Sequence, residues 1–252
     1  MRILRDWAAK DVEAFHRFLW SHHIGVAKFY ETANDFGSGN LLPTRKMLFE
    51  DLQTSLLRRN MDPRGVKSVL EIGCSSGYLL RFMETDLFPA ATTFEGIDID
   101  KYAIEKGEAY LRGCASKIRL VCADMVDLDH ISGGRKYDVI LCAGVLMYVR
   151  ERAAADVVRS MLNACSGLVA IANPAHPVID NVKLKHSEPR SDAALIHNID
   201  AMVEGAGGTI VYRRWEGSKE FDGQTVYFIF CSPGDSRPSK TNNLKRGYHV
   251  KG

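Results

Sequence analysis

The stretch Glu71-Ile72-Gly73-Cys74-Ser75-Ser76-Gly77 decides how this chain folds. It closes a short apolar run, VKSVLEIG (66–73), and opens a segment with helical spacing, YLLRFMET (78–85). That order predicts a strand, a tight turn and a helix starting near Ser76. Gly73 and Gly77 bracket the turn, where lack of a side chain lets the backbone take unusual angles and lets a ligand come close. Free N–H groups of the helix start would point into the same space. An ordinary strand-to-helix turn explains two glycines equally well, so the rest of the chain must carry the argument.

Four more apolar runs follow: TTFEGIDID (92–100), KIRLVCAD (117–124), YDVILCAGV (137–145) and GLVAIAN (167–173). Helical patterns separate them: KYAIEKGEAYLRG (101–113), a short piece near 125–133, and ERAAADVVRSMLNAC (151–165). Apolar strands alternating with helices predict a parallel sheet with right-handed crossovers. After NPAHP (173–177), a helix over roughly 192–205 leads to GTIVYRRW (208–215) and QTVYFIFC (224–231). Their link, EGSKEFDG, is too short for a helical crossover, so this pair is expected to be antiparallel.

Upstream, residues 8–31 carry Val12, Phe15, Phe18, Leu19, Ile24, Val26 and Phe29 at helical spacing, as one helix or two broken near Gly25. DFGSGN (35–40) reads as a loop. Residues 44–60 form a second helix with Met47, Leu48, Leu52, Leu56 and Leu57 on its apolar side. The tail from Ser232 is polar and basic, and reads as a disordered extension. The expected division is a helical lid over 1–62, a core over 63–232 and a tail over 233–252.

Of 252 residues, 46% are hydrophobic and 25% charged, with 33 basic against 31 acidic side chains. That is an ordinary globular composition, with no global field for nucleic acid or an anionic membrane. The charged N-terminus is no secretory signal, and no run approaches the length of a membrane span. None of the six cysteines forms a C-x-x-C pair, and no zinc-binding spacing is present, so no metal is expected. A cytoplasmic protein with free thiols is the expectation.

Two enzyme motifs compete for the turn. A dinucleotide fingerprint needs glycines at 73, 75 and 78, but Ser75 and Tyr78 stand there. Gly73-Cys74-Ser75-Ser76-Gly77 fits the G-x-S-x-G nucleophile elbow, which would make Ser75 a hydrolase nucleophile. That fold wants strands and an oxyanion loop upstream, where this chain offers helices.

The whole pattern resembles the class I S-adenosylmethionine-dependent methyltransferases, over about residues 64–232. EIGCSSG resembles their first motif, an acid before a glycine-rich loop. FEGIDID (94–100) resembles the second strand, CADM (122–125) the end of the third, YDVILCAGVLMYV (137–149) the fourth, and GAGGTIVYRRW (205–215) the turn into the sixth. Ser75 departs from the glycine common there. The resemblance implies a Rossmann-like three-layer α/β sandwich, its seven-stranded mixed sheet ending in an antiparallel pair, with N-terminal helices added. It implies S-adenosylmethionine held by Glu71, Gly73, Cys74, Ser75, Gly77, Asp98, Ile99, Asp124, Met125 and Ala143. Asp98, 21 residues after Gly77, would accept the ribose hydroxyls, and Asp124 would meet the adenine amino group. Taken singly, Asp98 and Asp124 are equally well helix caps. Three acids ending three successive strands favour a shared crevice.

The N-P-P-Y motif of amino-methylating enzymes and the paired glutamates of protein-arginine methyltransferases are missing after the fourth strand. NPAH follows the fifth. A small-molecule acceptor, methylated at oxygen or nitrogen, remains. The candidate bases are His176 and Tyr148, with His22, His23 and Tyr30 behind them. Tyr30 and Trp20 are candidates for the acceptor pocket under the lid. A methyltransferase-like binding protein without turnover is the non-enzyme alternative, and no oligomeric state is written in the sequence.

Overall fold

The computed structural model describes residues 7, 10–25, 27, 41–221 and 223–234, residue 224 by its backbone alone. The expectations for Tyr30, the 35–40 loop and the tail from 235 onward lie outside the described residues.

Helix α1, Val12–Ser21, starts at Asp11, whose carboxylate accepts the Ala14 N–H at 3.1 Å. Helix α2 is Pro43–Arg58. Strand β1, Ser68–Ile72, leads through the Gly73–Gly77 turn to α3, Tyr78–Phe82, which continues as a wider helical turn to Leu87. Then come β2, Thr93–Asp98; α4, Lys101–Gly113; β3, Ile118–Cys122; α5, Leu128–Ser132; β4, Tyr137–Ala143; α6, Glu151–Ala164; and β5, Cys165–Asn173. A two-residue hairpin of β6, Glu188–Pro189, and β7, Leu195–Ile196, precedes α7, Ile199–Gly205. Strands β8, Thr209–Phe221, and β9, Gln224–Ser232, complete the sheet.

The sheet order is β3-β2-β1-β4-β5-β9-β8. The first five strands pair in parallel; β9 pairs antiparallel with both β5 and β8. Alternate side chains enter two separate cores, as a sheet covered on both faces requires. Val69, Val139, Leu141, Leu168 and Phe228 face the layer of α2, α3 and α4. Leu70, Ile140, Val169, Ile171 and Ile229 face α5, α6 and α7. The chain leaves β1 toward β3 and returns at β4, so a crevice opens beyond the carboxyl ends of β1 and β4.

Several expected elements differ in detail. The helix after the turn begins at Tyr78, one residue past the left-handed Gly77, not at Ser76. The helix expected over 192–205 forms only from Ile199. Before it, the hairpin tip takes the chain, with Arg190 N–H bonded to the Ala194 carbonyl at 2.7 Å and Asn198 capping α7. The expected link EGSKEFDG is mostly strand, because β8 runs to Phe221.

Helix α2 buries Leu48, Leu52 and Leu56 completely, but Leu57 is 65% exposed; Thr44, Phe49, Asp51 and Ser55 take the remaining buried positions. Asp51 accepts two hydrogen bonds from Arg214 of β8, at 2.6 and 2.9 Å, fixing α2 to the sheet edge. So α2 is part of a core layer, with Thr44 and Arg45 of its first turn at the crevice, and α1 lines the crevice with Glu13, His16, Arg17 and Trp20. In α1 the buried position is His16. Of the apolar stripe, Phe18 and Ile24 are exposed, and Phe15 and Phe18 pack on Trp7.

Candidate active site

Gly73 and Gly77 have φ of +70° and +84°, in the left-handed region that glycine takes without strain. A Cβ on Gly73 would come within 2.2 Å of a Val145 methyl, so the turn passes tightly beneath the loop after β4. Ser75 also has positive φ, +51°. Its N–H donates to Asp98 Oδ2 at 2.7 Å, and the Asp100 N–H donates to Asp98 Oδ1 at 2.8 Å. One carboxylate therefore ties the end of β2 to the glycine turn. The capping role falls to Asp100, which accepts the Ala103 N–H at the start of α4. Asp98 is thus free of the helix cap and keeps acceptor capacity toward the crevice.

A cavity of about 260 Å³ opens at this edge of the sheet. Glu71 near the end of β1, Asp98 at the end of β2 and Asp124 just past β3 all line it. Gly73, Ser75, Ile99, Met125 and Ala143 line it too, as do Trp20 and Tyr148. Cys74 and Gly77 do not. The Cys74 thiol is buried against Gly96, and Gly77 shapes the turn beside Leu120. His176, expected as a base, lies in the loop after β5. Its Nδ1 accepts the N–H groups of Val178 and Ile179 at 3.1 Å, its Nε2 is 3.4 Å from Glu188, and it does not line the cavity. The turn after Pro174 is held by its own hydrogen bonds and keeps the imidazole in the loop. His22 bonds within its own helix end, and His23 pairs with Asp100 at 2.6 Å.

Burial sets the electrostatics. Glu71 is 2% exposed and its Oε2 has no partner. Burial holds its carboxyl well above the usual range, against the pull of the Arg45 charge, and the Asp98 charge pushes it further up. Asp98 is raised by burial to about 6, although three backbone N–H groups oppose the shift. Asp124 accepts the Val126 N–H at 3.1 Å, so here the cap reading of the sequence also holds, and its other oxygen meets the Arg17 guanidinium of α1.

The sequence reading missed four lining residues that matter. Arg45, at the start of α2, brings a cation to the Glu71 side, and its Nε is buried without a partner. Asn173, ending β5, is 4% exposed, and neither amide atom has a partner. His16 and Arg17 come from α1. The available signal was Glu13, His16, Arg17 and Trp20 recurring every three to four residues, a polar and aromatic stripe beside the apolar one.

This sheet order, with an acid-lined crevice at the switch point, defines a class I methyltransferase fold. Residues 69–166 match the family model described as a methyltransferase domain. Solved structures share the fold. A S-adenosylmethionine-dependent methyltransferase from Clostridium acetobutylicum is 12% identical, with TM-score 0.59, covering 84% of this chain and 100% of its own. Magnesium protoporphyrin IX methyltransferase from Synechocystis, with its donor bound, is 14% identical, with TM-score 0.53, covering 92% and 96%. The [4+2]-cyclase SpnF is 12% identical, with TM-score 0.58, covering 76% and 83%. A comparison with curated proteins gives no match. Among the described residues no helix is long and apolar enough to cross a membrane.

The elbow motif has a direct test. Ser75→Ala keeps the backbone N–H that Asp98 holds, so methyl transfer is expected to stay within about twofold of the parent, an effect below about 0.5 kcal/mol. Ser75 is also expected to resist a fluorophosphonate; stoichiometric labelling there would revive the hydrolase reading.

Proposed function

We propose that this protein transfers the methyl group of S-adenosylmethionine to an oxygen or nitrogen of a small-molecule acceptor. One observation carries the reading: Glu71, Asp98 and Asp124 end three adjacent parallel strands and line one crevice beside a turn that Asp98 itself holds. The polar atoms there suit this donor. Asp98 offers its carboxylate to the ribose hydroxyls. Glu71, buried with an unpartnered oxygen, suits the donor's cationic side, and Arg45 suits its carboxylate. Asp124 suits the adenine amino group, which would take over an oxygen now facing Arg17. Arg17 would then move with α1, in keeping with a lid over the N-terminal part of the crevice.

Bound S-adenosylmethionine supplies a methyl carbon activated by the sulfonium, and transfer is an in-line displacement at that carbon. The chain's work is alignment and exclusion of water. Trp20, Tyr148 and Phe228 give the acceptor end apolar walls. A second reading, a protein of this fold that does other chemistry, is favoured by the cyclase neighbour. Calorimetry with S-adenosylmethionine and S-adenosylhomocysteine tests the donor site. Mass spectrometry of cell extracts incubated with protein and methyl-labelled donor tests transfer. Donor binding with no labelled product would favour the second reading, and no binding of either ligand would sink both.

A further inference from the structure

His16 sits in α1, 3% exposed, and lines the crevice with Trp20 and Tyr148. Its ring lies 4.8 Å from that of Tyr148, which lies 5.2 Å from Trp20. His16 Nε2 is 3.0 Å from the carbonyl oxygen of Ala193, at the tip of the β6–β7 hairpin. A carbonyl only accepts, so Nε2 carries the ring proton. In the neutral ring Nδ1 then holds the lone pair. Burial favours that neutral form more strongly than the Ala193 carbonyl and the Asp192 charge oppose it. The other charged groups nearby are engaged. Arg190 pairs with Asp192 at 3.2 Å, and Arg17 faces Asp124 and, at 3.7 Å, Glu13. An imidazole with one nitrogen oriented by a fixed acceptor and the other basic is the arrangement of a general base.

Asn173 supplies an independent observation. Its amide is buried in the same crevice and has no protein partner on either atom. Thr225, also lining the crevice, spends its hydroxyl on the Ala175 carbonyl at 2.7 Å. An orphaned buried amide calls for a ligand that completes its hydrogen bonds.

Building on the methyltransferase reading, we infer that the acceptor is a flat, uncharged hydroxyl compound, phenol-like or enol-like, whose proton His16 takes at Nδ1 while Asn173 hydrogen-bonds its polar edge. The rings of Tyr148 and Trp20 suit a flat acceptor. The hydroxyl proton passes to Nδ1, and the freed oxygen pair forms the new O–C bond. The C–S bond breaks with its pair kept by sulfur, so the donor leaves as the neutral thioether. The imidazolium, still donating from Nε2 to Ala193, returns its proton to water.

The test uses 4-nitrophenol, whose phenolate is coloured, titrated into protein saturated with S-adenosylhomocysteine at a pH below the probe's own pKa. Saturable binding with a gain in phenolate absorbance is expected. His16→Gln should reduce that gain about tenfold, leaving S-adenosylhomocysteine affinity within about twofold, and Asn173→Ala should weaken the probe about tenfold. Absence of saturable binding, or an undiminished phenolate gain in His16→Gln, overturns the inference. Long-range proton–nitrogen NMR of the unmodified protein gives a check independent of any variant: the proton must sit on His16 Nε2, and a proton on Nδ1 overturns it. Failure of S-adenosylhomocysteine itself to bind would instead sink the methyltransferase reading.

Discussion

Asp98→Ala is expected to weaken S-adenosylmethionine binding by about 1.5–3 kcal/mol, the range for losing hydrogen bonds to a charged group. Two losses combine in it. The ribose diol loses its acceptor, and the Ser75 and Asp100 N–H groups lose the carboxylate that shapes the turn. Calorimetry on the folded variant reads the effect, and unchanged affinity would remove Asp98 from the site. The pH dependence has a definite sign. Burial raises the Asp98 pKa to about 6, and the ionised form is the one that accepts hydrogen bonds from the ribose diol. Donor affinity should therefore hold above about pH 7 and fall as pH drops through 6, approaching tenfold per unit below it. Glu71, also raised and also needed as an anion beside a cationic ligand, acts in the same direction. In Asp98→Ala the step near 6 should vanish, leaving only the part due to Glu71.

Gly107→Ala should destabilise the protein, against what its helical position suggests. In an exposed helix the change would gain about 1 kcal/mol. Here a Cβ would lie 2.2 Å from the Ser76 carbonyl oxygen and 2.8 Å from a Leu120 methyl. The obstacle is backbone of the glycine turn, which cannot swing aside as a flexible side-chain end can. Overpacking of this kind costs about 1–3 kcal/mol. The displacement falls on residues next to the Ser75–Asp98 hydrogen bond, so donor affinity should drop by about tenfold as well. Urea unfolding and donor calorimetry read the two effects, and a variant more stable than the parent would show that helix propensity outweighs the contact.

The five parallel strands were legible because each is a short apolar run bounded by turn residues, and a buried parallel sheet leaves that signature. The antiparallel pair was legible from link length alone. The acids were legible as positions, yet their work was not. Asp98 and Asp100 are equally good caps on paper, and only the folded turn shows that Asp100 caps α4 while Asp98 holds Ser75. Likewise Leu48, Leu52 and Leu56 were readable as a core face, whereas Leu57 satisfies the same apolar pattern and faces water.

The acceptor end was hardly legible. His176 had the right strand but the wrong direction, its imidazole turned into local hydrogen bonds. His16 had no motif around it, and its partner, the Ala193 carbonyl, lies 177 residues away. The sequence by itself determined the alternation of elements, the glycine turn and the three strand-end acids, because periodicity, turn chemistry and spacing are local properties of a chain. Tertiary structure alone decided which side chains close the crevice over those acids. That choice depends on how α1 and the β6–β7 hairpin pack together across the sheet edge, a contact between distant segments that no local pattern encodes.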